Sequence, residues 1–263
     1  MNTNLRFFSI FITGFILYYL FDLYCFKSIQ TFAKGVFHSK AAAHVIAYTI
    51  TCIPLVITAK VLLPKEDIVQ IFSLNQSLSK GFMVSFSGTL PMLIGYSFFF
   101  GLTQQLDFES LFINTISSAF FEEIIFRAFL IGIVYRFTRL GFLTSIVLAS
   151  LLFAQAHLYQ SQNSIELIEI FSVTFLGSVL FAWLYSEWNF NIWAPIFLHF
   201  FMNLYWNIFD VSDNAAGNNI ANIFRLSSII LTILITVYYK RKYKIPFQIT
   251  GKSLFMKSRE AQS

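Results

Sequence analysis

Apolar residues gather in long runs divided by short clusters of charge, proline and polar side chains. A helix that crosses a bilayer needs about 20 mostly apolar residues. Eight runs approach or reach that length, over 7–26, 41–63, 81–102, 110–136, 140–160, 165–186, 190–209 and 222–239. The pattern predicts an all-α fold, a polytopic transmembrane helix bundle of about eight spans. Breakers fall between the runs: Pro64-Lys65-Glu66-Asp67 closes the second, Asp107 and Glu109 precede the fourth, and a polar stretch over 210–219 separates the last two. The first run exceeds a signal-peptide core and no small-residue cleavage site follows it, so it is expected to be retained. Residues 1–239 are expected to form one transmembrane domain, and 240–263 a basic cytoplasmic tail.

Composition supports the class. The chain is 57% hydrophobic and 12% charged, whereas soluble domains carry about a quarter charged residues. Its 34 phenylalanines suit a protein that meets lipid at two interfaces. Cys25 and Cys52 lack metal-ligand spacing and read as packed thiols. The net charge of +5 does not point to nucleic acid. Seven basic residues crowd the tail (Lys240, Arg241, Lys242, Lys244, Lys252, Lys257 and Arg259), where they read as an anchor against anionic headgroups. With the N-terminus inside, thirteen lysines and arginines fall inside and four outside. The positive-inside rule therefore predicts cytoplasmic termini, against the dissent of Lys27, Lys34 and Lys40 in the first outer loop.

Polar residues inside the spans change the picture most. A charge at mid-helix costs about 2.5–3.5 kcal/mol on insertion scales, which makes such residues functional suspects. The fourth span reads Ser117-Ser-Ala-Phe-Phe-Glu-Glu-Ile-Ile-Phe-Arg127. Glu123 and Arg127 are four apart, in the favourable orientation for a helical ion pair. Glu122 points elsewhere and lacks that partner. His157 ends the next span, one turn after Phe153, and the seventh carries His199 and Asn203 on one face behind Pro195. Each alone reads as interhelical hydrogen bonding, but together they match an acid–base constellation. His44 reads as packing, Glu166 and Glu169 as residues suited to a helix N-terminus, and Asp22 as a group near the outer end of its span, within reach of water.

Three of these segments, Glu122-Glu123-Ile-Ile-Phe-Arg127, Phe153-Ala-Gln-Ala-His157 and His199-Phe-Phe-Met-Asn203, resemble in order the motifs Glu-Glu-x-x-x-Arg, Phe-x-x-x-His and His-x-x-x-Asn. These belong to the CAAX protease and bacteriocin-processing family of intramembrane peptidases, also called Abi. The resemblance covers the fourth to seventh spans and implies a catalytic core over about 110–209. It implies hydrolysis of hydrophobic, lipidated or membrane-tethered peptides, as in CAAX-type or bacteriocin and signal-peptide processing.

Amide hydrolysis needs an activated water, a stabilised oxyanion and a proton for the leaving amine. Glu122 is then expected as general base, with His157 orienting the water. His199 and Asn203 would donate to the oxyanion, while Glu123 and Arg127 would hold the helix and tune Glu122. A second version makes Glu122, His157 and His199 ligands of one divalent metal such as zinc, with an open position for water. No serine or cysteine sits in a nucleophile setting. A proton-coupled transporter using the same residues as a relay, or a non-catalytic immunity or scaffold protein, are the alternatives. The expected location is a multi-pass position in a bacterial cytoplasmic membrane, with the lipid bilayer and a peptide substrate as partners.

Overall fold

The computed structural model describes residues 3–257. Among them the regular structure is helical, apart from one isolated bridge between Leu140 and Met256. Helix α1 spans Thr3–Phe37, α2 Lys40–Thr51, α3 Ile53–Leu62, and a single turn, α4, Ile68–Ile71. Helix α5 spans Leu78–Phe99 and α6 residues 108–137. Then come α7 (Phe142–Gln155), α8 (Ser164–Glu187), α9 (Trp193–Ile208) and α10 (Asn219–Lys242).

All eight apolar runs are helical. Six helices are long and apolar enough to cross a membrane: α1, α2 with α3, α5, α7 with the turn after it, α8 and α10. Of the other two runs, α9 has only 16 residues. The other, α6, is divided by π-helical turns over Ile113–Ser117 and Ile124–Ile133. Such i→i+5 geometry is rare and concentrates at functional sites.

The first helix departs most from expectation. It runs eleven residues past position 26, to Phe37, because Ile29, Phe32, Ala33 and Val36 keep helical spacing around Lys27 and Lys34. Both lysines therefore lie on α1. Asp22 is no longer near an end; it is half-buried at mid-helix, and its Oδ1 is buried without a hydrogen-bond partner.

Helix α6 forms the centre. Its Ile125, Ala128, Phe129, Ile131 and Ile133 are at most 2% exposed and join residues of α1, α3 and α7 in the largest apolar cluster. Phe129 stacks on Phe11 of α1, ring centroids 5.1 Å apart. On the far side, α5 packs backbone-close to α9 and α10. A Cβ added to Gly81 would lie 2.6 Å from the Trp193 carbonyl carbon, and one added to Gly88 2.1 Å from Thr232 Oγ1. Small residues permit this approach where apolar lipid offers helices no hydrophobic drive to associate.

The tail is folded. Lys240 and Lys242 belong to α10, and the segment after them returns across the bundle. Glu187 at the end of α8 accepts from the Lys240 ammonium and from the backbone N–H groups of Gln248 (3.1 Å) and Ile249 (3.0 Å). Gly141 and Leu143 N–H donate to the Phe255 and Leu254 carbonyls at 2.7 and 2.8 Å. Arg136 joins the same end, donating to the Ile71 and Gln70 carbonyls. Arg259 lies outside the described residues.

Candidate active site

The site is built on α6, α7, α8 and α9. Glu123 and Arg127 are fully buried and form the ion pair expected from i,i+4 spacing, with 3.0 Å between Oε1 and Nη1. The N–H does not point at the oxygen, so none of the three guanidinium nitrogens has a directed hydrogen bond among the described residues. Coulomb attraction at low dielectric holds the pair. The guanidinium also lies 4.4 Å from the Phe153 ring centroid and 5.1 Å from that of Phe181. Aromatic faces attract a desolvated cation by about 2 kcal/mol. These contacts make Phe153 and Phe181 the supports of a charge buried from bulk solvent.

Glu123 does more than its spacing announced. The same Oε1 lies 2.9 Å from Nδ1 of His199, which is 6% exposed. A carboxylate only accepts, so Nδ1 carries the proton and Nε2 faces away. Glu123 thus ties α6 to α9 and fixes the His199 ring. Sequence spacing cannot reveal a bond across 76 positions.

His157 follows α7 directly and is half-buried. Its Nδ1 donates to the Phe153 carbonyl at 2.7 Å, the acceptor one turn back, which again leaves Nε2 unengaged. The Phe153 ring lies 4.6 Å from the His157 ring and 6.3 Å from that of His199. One phenylalanine therefore touches both histidines and the arginine. Asn203 is turned toward α6, where its amide donates to the Asn114 carbonyl at 2.9 Å.

Glu122 lies about 100° round α6 from Glu123. It is half-buried, and its Oε2 is a buried atom without a partner. Tyr48 of α2 stacks on the neighbouring Phe121 at 4.8 Å and lies within electrostatic reach of Glu122, as do Tyr18 and Arg127. Helices α1 and α2 thus wall this flank. The sequence reading missed Tyr48, since an aromatic in an apolar run carries no signal. His44, read there as packing, is also engaged: its Nδ1 lies 2.9 Å from Ser117 Oγ.

Residues 103–205 match a family model described as type II CAAX prenyl endopeptidase Rce1-like. That segment of the chain is similar to the Rce1-like endopeptidases. It takes in α6 to α8 and most of α9, with all six candidate residues, and agrees with the three motif resemblances. No curated protein and no solved structure matches the chain. The long apolar helices, with this match, indicate an integral membrane protein, and the match supports a membrane peptidase.

The metal version can be tested on the side chains themselves. Both histidines have the donor chemistry, with Nδ1 engaged and Nε2 available, as metal ligands usually do. Among the described residues, however, no three His, Cys, Asp or Glu side chains gather closely enough to hold an ion. Glu122, His157 and His199 do not form a three-ligand set in this arrangement.

Proposed function

We propose that the chain is a glutamate-dependent intramembrane endopeptidase that hydrolyses hydrophobic, lipidated or membrane-tethered peptides. The observation that carries this reading is the unequal engagement of two adjacent carboxylates. Glu123 is committed through Oε1 to Arg127 and His199, while Glu122 has no ion-pair partner among the described residues and keeps a buried, unpartnered Oε2. Glu122 is the carboxylate able to take a proton.

In this scheme a water attacks the scissile carbonyl as Glu122 accepts its proton. The His157 Nε2 lone pair orients that water, because Nδ1–H is held by the Phe153 carbonyl. Negative charge develops on the carbonyl oxygen, where donors aimed at the oxyanion matter most. His199, with Nδ1 held by Glu123, turns Nε2 to that side and can donate there when both ring nitrogens carry protons. The Asn203 amide has one N–H beyond the one given to Asn114. As the tetrahedral intermediate collapses, the C–N bond breaks and Glu122 passes its proton to the leaving amine. The products are a carboxylate and an amine.

Depth supports the substrate class. Glu122 lies fourteen residues into α6, roughly 20 Å along the axis at 1.5 Å per residue. A peptide reaching it is apolar or tethered in the bilayer. The proposed setting is a bacterial cytoplasmic membrane with both termini cytoplasmic, the orientation resting on the charge bias.

The test is incubation of purified protein in nanodiscs with prenylated and leader-peptide libraries, read by mass spectrometry before and after chelation. The expected result is cleavage within apolar or lipidated segments that chelators leave unchanged. Activity lost on chelation and restored by zinc would return Glu122, His157 and His199 to a ligand role. Proton-coupled solute uptake in proteoliposomes without any cleavage would replace the peptidase by a carrier.

A further inference from the structure

Three helices around the guanidinium of Arg127 carry buried polar atoms that no protein group satisfies. Among the described residues, Nε, Nη1 and Nη2 of Arg127 lack hydrogen-bond partners, as do Glu123 Oε2, Ser150 Oγ and Ser178 Oγ. Arg127, Glu123, Ser150 and Ser178 are all 0% exposed. Ser150 lies one turn before Phe153 on α7, and Ser178 one turn before Phe181 on α8. Those are the two rings beside the guanidinium.

The serines are exceptions on their own helices. Hydroxyls in apolar helices commonly fold back onto the carbonyl one turn earlier. Ser145 does so to Gly141, Thr174 to Ile170 and Ser186 to Ala182, at 2.6–2.9 Å. Ser150 and Ser178 do not, although each has a carbonyl at the same offset.

A buried polar group without a partner costs about 1–3 kcal/mol, and more if charged, so this cluster would be a heavy burden on the fold unless a ligand completes it. Its chemistry is mixed. Arg127 offers only donors, Glu123 Oε2 only accepts, and each serine does both. Glu123 would repel an anion and Arg127 a cation. With rings on the guanidinium, partners must arrive near its plane, where a small neutral donor–acceptor fits. Buried water typically makes two to four such bonds.

We infer that ordered water is bound among Arg127, Ser150, Ser178 and Glu123 Oε2, and that this internal hydration site supplies the water consumed at Glu122. The second half rests on the peptidase reading. A hydrolase consumes one water per bond cleaved, and the bilayer core offers none. The two groups are neighbours on α6: Arg127 is within electrostatic reach of Glu122, whose Oε2 is likewise buried and unpartnered among the described residues. Arg127 then carries two duties, charge pairing to Glu123 and anchoring water.

The experiment is radiolytic hydroxyl footprinting of the full-length protein in nanodiscs, with labelling mapped by mass spectrometry. Radicals formed from bound water oxidise the adjacent ring, so Phe181, which lies against the guanidinium, labels several-fold faster than Phe129, which is also buried but stacks on Phe11. Ser178→Val, which puts an apolar group where the hydroxyl stands, lowers Phe181 labelling several-fold and lowers kcat more than KM. Glu122→Gln abolishes cleavage but keeps the labelling. Phe181 labelling no faster than Phe129 in the wild type would overturn the inference, whether or not the valine variant folds. Labelled Phe181 in a protein that cleaves nothing would leave the hydration site standing and defeat its supply role together with the peptidase reading.

Discussion

Two neighbouring glutamates on α6 have the same chemistry and opposite surroundings. Glu123 sits between Arg127 and His199, whereas Glu122 has no such direct partner among the described residues and has Tyr18 and Tyr48 within electrostatic reach. The difference arises because residues one apart on a helix point about 100° from each other. Arg127 makes the energetic stake testable. Removing one partner of a buried ion pair leaves the other charge uncompensated, at about 3–5 kcal/mol. Arg127→Met is therefore expected to lower the thermal midpoint strongly in detergent, and Glu123→Gln/Arg127→Met to recover much of the loss. A double variant no more stable than the single would show that the arginine acts through packing on Phe153 and Phe181 instead. At this scale much of the site was legible: spacing alone paired Glu123 with Arg127 and set Glu122 apart. The His199–Glu123 bond and the turn of Asn203 toward Asn114 depend on how α9 lies against α6, which no local pattern encodes.

Elements were legible wherever apolar runs had charged or proline boundaries, and less so where helical spacing outlasted hydropathy. Helix α1 continues through Lys27 and Lys34 because apolar residues keep helical spacing on either side of them. The π turns of α6 had no sequence signal at all. At its start α6 is fixed to the α1–α2 corner through Glu109, which accepts from the Ser39 hydroxyl and from the N–H groups of Lys40 (3.2 Å) and Ala41 (3.4 Å). Ser39 also caps α2. These bonds, that of Ser39 first, hold the Glu109 carboxyl below its ordinary value of 4.5. Asp107 is lowered too, chiefly by the Ser110 hydroxyl. A depressed carboxyl stabilises the folded form above its unfolded value, and the effect is lost as pH falls through the folded value. Acidification below about 4.5 is thus expected to loosen this corner. Hydrogen exchange at 39–42 and 107–111, corrected for intrinsic rate, should rise there and level off at higher pH. Glu109→Gln should exchange fast at every pH. Flat exchange across the acid range in the wild type would contradict the assignment.

At the scale of the whole molecule, the segment similar to the Rce1-like model covers residues 103–205, and the rest of the chain frames it. Helices α1 and α2 wall the Glu122 flank, and α5 braces α9 against α10. The basic tail, expected as a headgroup anchor, is strapped to the bundle, because Glu187 is a buried acceptor matched to Lys240 and to two backbone donors. Hydropathy marks such a segment only as polar. Glu187→Gln should release the strap, so that limited proteolysis cuts within 243–257 several-fold faster than in the wild type. Equal resistance would mean that Leu254 and Phe255 on α7 hold it unaided.

The central claim is that this membrane bundle hydrolyses peptides with Glu122 as the base. The most direct test compares wild type with Glu122→Gln on one cleaved peptide, under single-turnover conditions in nanodiscs, with folding of the variant verified by its thermal midpoint. The account predicts rapid cleavage by the wild type and none measurable by the folded variant. Cleavage at the same rate by both would contradict it, and Glu122 would have to yield its role.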